Sequence, residues 1–225
     1  MATAAEVTPQ RVLVESTPAA DPAPLGLAAF ALTTFVLSGH NATFIPDLIW
    51  VGLALFYGGL TQLTAGMWEF RNRNVFGATA FATYGGFWMS LGIFVVLATV
   101  SKSFGSALHG ANLPNAVAWY LLAFAIFNTY MLFLSTQVSV AVFLVFLTLE
   151  ATEILLVIGF FSEAHGHANS GWIHLGGWVG IATAAVAWYA SAAGVINGMK
   201  GRHVMPVGEA LSFGNGRTHR RQQPA

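Results

Sequence analysis

The chain has 225 residues, nine basic and nine acidic, and no cysteine. Of these, 56% are hydrophobic and 8% charged, against about 25% charged in a soluble domain, so most of the surface is built for lipid. Zero formal net charge argues against a nucleic-acid partner, and the lack of cysteine excludes disulfides, zinc–thiolate sites and thiol catalysis.

Residues 1–24 are polar, rich in Ala and Pro, and carry Glu6, Glu15 and Asp21. They show no periodicity and read as a disordered tail, without the early apolar core of a signal peptide. The stretch Asp21-Pro22-Ala23-Pro24-Leu25-Gly26 ends the tail. Prolines fix φ and lack an N–H, so they suit the first turn of a helix. This is the capped start of a first membrane helix. Its N–H groups and positive dipole end suit an anion, and a Pro-rich helix start also occurs with no ligand at all.

Six apolar segments follow, predicted over residues 25–44, 48–70, 75–100, 116–134, 138–161 and 171–196. Each is near the roughly 20 residues that a spanning helix needs. The domain reading is a tail over 1–24, a six-helix membrane domain over 25–197 and a tail over 198–225. Six spans leave both termini on one side. That side collects Arg11, Arg71, Arg73, Lys200, Arg202, Arg217, Arg220 and Arg221, whereas the other has Lys102. Basic residues mark the cytoplasmic face, so both termini are expected there and the loops near Asp47, Lys102 and Glu163 outside.

Polar groups within spans are the functional candidates, because they are costly in lipid. Glu150 and Glu153 lie three apart on one face of the fifth span. Two readings stand: carboxylates coupling protons in a wet path, or a pair held neutral in protein contacts. Glu69 ends the second span beside Arg71 and Arg73, and an ion pair is expected. Gln62, Thr83, Asn128 and Thr129 either line a path or bond between helices. His40, Asn41 and His174 fall toward the outer ends of their spans; no second pair at ligand spacing appears, so no metal is assigned. Gly176 and Gly180 share a face and read as internal packing or a dimer contact. No span contains lysine, which excludes a retinal Schiff base, and no ATPase-type phosphate loop appears. No enzyme chemistry or cofactor is implied. Residue chemistry alone ends at a six-span, all-α protein with a polar path.

Ordered motifs then carry a resemblance. They are Pro22-Ala23-Pro24-Leu25-Gly26-Leu27; His40-Asn41; Phe56-Tyr57-Gly58-Gly59 with Gln62, Ala65-Gly66 and Glu69; and Asn74-Val75-Phe76-Gly77 with Thr79-Ala80-Phe81, Tyr84-Gly85 and Phe87-Trp88. His174 with Gly177-Trp178 and Gly180, and Met205-Pro206-Val207-Gly208-Glu209, complete the set. Together, over residues 21–209, the chain resembles the acetate uptake transporter family. Asp21 stands where the family has Asn, placing a carboxylate where an anion would be repelled. Glu150 and Glu153 lie outside the family pattern. The resemblance implies a six-helix protomer in a homo-hexamer of the cell membrane, carrying acetate or related short carboxylates such as succinate. It implies an apolar constriction at Phe30, Tyr84 and Leu149 in each protomer. The expected path enters near His40, Asn41 and His174 and leaves by Asp21–Gly26 and Arg71/Arg73. A membrane sensor with the same fold, and an exporter of acetate or ammonia, remain alternatives.

Overall fold

The computed structural model describes residues 19–110, 112–167 and 171–211. The expected tail over residues 1–24 falls outside the described residues up to position 18, as do Arg11, Arg217, Arg220 and Arg221. The described residues form helices and turns, with no strand among them.

Helix α1 spans Ala23–Asn41, α2 Ile49–Arg71, α3 Val75–Val100 and α4 Lys102–Gly110. Helix α5 spans Leu113–Ser135, α6 Val140–Ala164 and α7 Gly171–Lys200. All but α4 are long and apolar enough to cross a membrane, matching the six segments expected from sequence. Side-chain oxygens cap three of them. Asn74 Oδ1 accepts from Gly77 N at 3.0 Å, Asn112 Oδ1 from Asn115 N at 3.2 Å, and Ser139 Oγ from Val142 N at 3.2 Å. The expected loop at Lys102 is a helix instead, with Phe104 packed edge to face on Phe94 at 6.0 Å.

Helix α1 packs along α7, α7 along α6, α6 along α5, and α2 along α3, with α1 also against α2. The ring closes between α3 and α5 through aromatic side chains. Phe87 stacks on Tyr120 at 5.5 Å and meets Phe124 edge to face at 4.8 Å. Tyr84 meets Phe127 at 5.6 Å. Falling numbers on α3 pair with rising numbers on α5, so these helices are antiparallel. Asn112 with Ala164, and Asn128 with Phe146, show the same for α5 and α6. Gly177 lies against Ala42 and Gly194 against Pro24, so α1 and α7 are antiparallel, as are α6 and α7 by Leu156 with Gly176 and Thr152 with Thr183. Helices α1, α3 and α6 therefore run the same way.

Helix α2 is π-helical over Phe56–Thr61. Such a turn adds one residue to the coil and commonly sits at functional or strained positions. It brings Gly58 against Thr33 of α1. Gly66 and Gly85 let α2 and α3 touch backbone to backbone: a Cβ on Gly66 would lie 2.6 Å from Ala82 N, and one on Gly85 2.6 Å from Leu63 N. Gly66→Val is expected to destabilise by ~1–3 kcal/mol through overpacking, about 2–12 °C in thermal midpoint for a chain of this size. A midpoint unchanged in detergent would refute this close contact. Gly176 faces Leu156, and Gly180 faces Ser38 and Thr152, so this pair serves packing within the protomer.

Beyond α7 the chain folds back as a strap. Asn197 Oδ1 accepts from Val204 N at 2.7 Å and Met205 N at 2.9 Å, while its Nδ2 donates to Met205 O at 2.9 Å. Tyr189 donates its hydroxyl to Pro206 O. Ala141 N then donates to Val207 O at 2.8 Å, and Leu211 N to Thr136 O at 2.6 Å. Gly208 has φ +72° and lies against Val140, where a side chain would be strained and crowded.

Candidate functional site

Three helical stripes build the site. Phe30, Thr34, Ser38 and Asn41 on α1, Tyr84, Trp88, Leu91 and Val95 on α3, and Leu149, Glu153, Leu156 and Phe160 on α6 recur every three or four residues. They line one cavity of about 370 Å³, joined by Leu113, Val117 and Leu121 of the antiparallel α5. Such a volume suits a small ligand. The lowest-numbered lining residues on the three parallel helices are Phe30, Tyr84 and Leu149, so these make its inner end. Phe30 meets Tyr84 edge to face at 5.8 Å, and all three side chains are buried.

His40, Asn41 and Asp47 line the other end, the mouth. Asp47 Oδ1 organises it: it accepts from Leu48 N at 2.7 Å and Trp50 Nε1 at 3.3 Å, and lies 3.5 Å from His40 Nε2. Leu48, with φ +67°, starts α2 there.

A polar network backs the inner end. The Tyr84 hydroxyl donates to Asn128 Oδ1 at 2.9 Å and also faces Glu153 Oε1 at 3.3 Å. Asn128 Nδ2 donates to Glu150 Oε2 at 2.6 Å and Phe146 O at 3.1 Å. The Thr129 hydroxyl lies 2.7 Å from Glu150 Oε1 and 2.8 Å from Ala125 O. Glu153 thus reaches the cavity, while half-buried Glu150 turns to α5; one chain of hydrogen bonds joins them through Tyr84 and Asn128.

Other sequence candidates fall elsewhere. Asn128 is 0% exposed, with both amide hydrogens and its oxygen bonded, so it ties helices rather than lining the cavity. Thr83 precedes Tyr84 by one residue, about 100° around the helix, and is not a lining residue. Gln62 is buried on α2, which contributes only Trp50 to the lining. His174 is exposed, with its ring on Trp178 at 6.3 Å, away from the cavity.

The start of α1 offers no free donor for an anion. Ala23 N donates to Asp21 Oδ1 at 2.9 Å, and Leu25 N and Gly26 N donate to Pro22 O at 3.1 Å. Pro22 and Pro24 have no N–H to give. Pro24 O accepts from Ser191 Oγ at 2.6 Å, and Gly26 lies against the Phe81 ring, so this segment docks α1 onto α7 and α3. The expected pairing of Glu69 with Arg71 or Arg73 is replaced. Glu69 is 0% exposed and takes Asn72 Nδ2 at 3.5 Å. Helix α2 ends at Arg71, and Arg73, with φ +59°, turns away into solvent. No group of three or more His, Cys, Asp or Glu that could hold a metal occurs among the described residues.

Known proteins share this architecture. "Acetate permease A" of Emericella nidulans is 40% identical over 217 residues, covering 92% of this chain and 72% of the permease. The "Succinate-acetate/proton symporter SatP" of Escherichia coli is 35% identical over 198 residues, covering 87% of this chain and 98% of the symporter. A solved structure of the bacterial acetate channel SatP superposes with a TM-score of 0.75 at 33% identity, covering 84% of this chain and 99% of that one. The GPR1/FUN34/yaaH family matches residues 3–209, and with six spanning helices in the same fold this chain is a multi-pass membrane protein that belongs to that family.

Proposed function

We propose that this chain carries acetate and related short carboxylates, succinate among them, across the membrane through a path within each protomer. The observation that carries the reading is a cavity closed at one end by Phe30, Tyr84 and Leu149, in a fold shared with an acetate channel. A ring of apolar groups holds back water and ions, yet accepts the methyl of a small amphipathic solute. The Tyr84 hydroxyl supplies a polar contact for its carboxyl group. The solute enters at His40 and Asn41, crosses the constriction and leaves on the side of Arg71 and Arg73. Those exposed arginines raise the local anion concentration. Glu153 and Glu150 couple protons to this movement through Tyr84 and Asn128. Basic residues concentrated at Arg71, Arg73, Lys200 and Arg202 support cytoplasmic termini flanking the membrane domain. The family resemblance supports a homo-hexamer in the plasma membrane. Lipid and neighbouring protomers would then cover exposed Trp119, Ile126 and Phe133.

Labelled acetate uptake into proteoliposomes tests the transport reading. Uptake above empty vesicles is expected, and Tyr84→Phe is expected to reduce it roughly three- to tenfold, the worth of about one hydrogen bond to a charged or polar partner. Uptake equal to that of empty vesicles would sink the reading.

A further inference from the structure

Phe30, Tyr84 and Leu149 are each followed four residues later by a polar side chain: Thr34, Trp88 and Glu153. Four residues of α-helix advance about 6 Å and return to nearly the same face. Because α1, α3 and α6 run the same way, the apolar ring carries a polar ring one turn nearer the mouth. All three residues line the cavity. They are 5%, 3% and 5% exposed, respectively. Each holds one polar atom with no protein partner: Thr34 Oγ1, Trp88 Nε1 and Glu153 Oε2. Buried polar groups are nearly always hydrogen-bonded, so three such atoms around one cavity point to a ligand that bonds them together.

The chemistry of the set selects that ligand. Indole N–H donates only, a threonine hydroxyl can donate, and an ionised carboxylate accepts only. A carboxylate anion would satisfy the two donors but be repelled by an ionised Glu153. A carboxylic acid group has a carbonyl oxygen for the donors and an O–H for Glu153 Oε2. We propose that Thr34, Trp88 and Glu153 form a binding site for the protonated carboxyl group of a short monocarboxylic acid, one turn above the constriction. The substrate brings the proton: acetate and one proton from solvent enter as the neutral acid, its O–H donates to the ionised Glu153 carboxylate, and the pair keeps a single negative charge with no bond between heavy atoms changed. The methyl then rests toward Phe30 and Leu149. This inference rests on the transport reading for its substrate class.

The groups facing Glu153 are few. Helix α3 presents Tyr84, α6 itself presents Glu150, and α5 presents Asn128 through Tyr84, with Tyr130 behind Phe127. Helix α7 presents Thr183 to neighbouring Thr152. His40 and Asp47 lie at the mouth of the same cavity.

Calorimetry on the full-length protein in detergent, with acetate and acetamide in buffers of different ionisation enthalpy, tests the site. Acetamide keeps the carbonyl acceptor and a donor hydrogen, and does not titrate. At neutral pH, acetate binding is expected to take up close to one proton and acetamide binding none. Glu153→Gln is expected to abolish the uptake, and Thr34→Val and Trp88→Phe, which remove a donor with little change of shape, to weaken both ligands about five- to tenfold. Acetate binding without proton uptake in the parent protein would overturn the site. So would Thr34→Val and Trp88→Phe affinities both within twofold of the parent, which keeps the test decisive if Glu153→Gln fails to fold. Binding with proton uptake but no vesicle flux would refute transport and support the site, whereas flux without this binding signature would do the reverse.

Discussion

Phe30→Ala is expected to open the inner end of the cavity and erase most of its discrimination by size. Phe30 fills the α1 side of the cavity's inner end and meets Tyr84 edge to face at 5.8 Å. Removing the ring takes away the apolar surface that a longer acyl chain must pass. A methylene in an apolar site is worth ~1–3 kcal/mol, so the preference for acetate over butyrate should fall at least about tenfold. The same change creates a void, and Phe→Ala in a packed core costs ~3–5 kcal/mol. A lower thermal midpoint is therefore expected beside the altered selectivity. Competition of labelled acetate uptake by unlabelled butyrate reads the first effect. An unchanged butyrate profile would move the constriction away from Phe30.

Asn128→Leu is expected to give the largest loss of stability among single substitutions in the network. Asn128 bonds Tyr84, Glu150 and Phe146 and is wholly enclosed. Interhelical hydrogen bonds in membranes are worth ~0.6 kcal/mol each and at most ~1.7. Leucine would also leave a Glu150 oxygen short of its donor at 2.6 Å and the Tyr84 hydroxyl without its nearer acceptor, with a desolvation cost of ~1–3 kcal/mol for each buried group. A total near ~3 kcal/mol lowers the thermal midpoint by roughly 6–12 °C in a chain of this size. Thermal unfolding of the detergent-purified variant measures it. A shift under about 2 °C would mean that the network rearranges around the gap.

The spans are legible because hydropathy decides them: each segment of 19 or more predominantly apolar residues is long enough to cross a bilayer. Helix α4 was not legible, because nine residues with Lys102 and His109 make no long apolar run. The π-helical turn was invisible too, since Gly58-Gly59 announces close approach but not an extra residue in the coil. Glu69 misled through its neighbours. Arg73 lies four residues on, a pairing distance in a continuing helix, but the helix stops first. Glu150 and Glu153 share a broad helix face by spacing, yet three residues still differ by about 60° around a helix. That angle is enough to send one carboxylate to the cavity and the other to α5. The polar ring is not legible in the sequence because Thr34 and Trp88 are ordinary in a span. Only their shared offset from Phe30 and Tyr84, together with their unpartnered atoms, distinguishes them.

The strap after α7 bears on how this protein can be handled. Fluorescent reporters and affinity handles are commonly attached at a carboxyl end, on the assumption that it hangs free. Here the chain through Leu211 is buckled onto the turn between α5 and α6, so an attachment should begin after that residue. A fusion that replaces residues 203–211 would unclasp the last span from its neighbours and return a poorly expressed sample for reasons unrelated to the reporter.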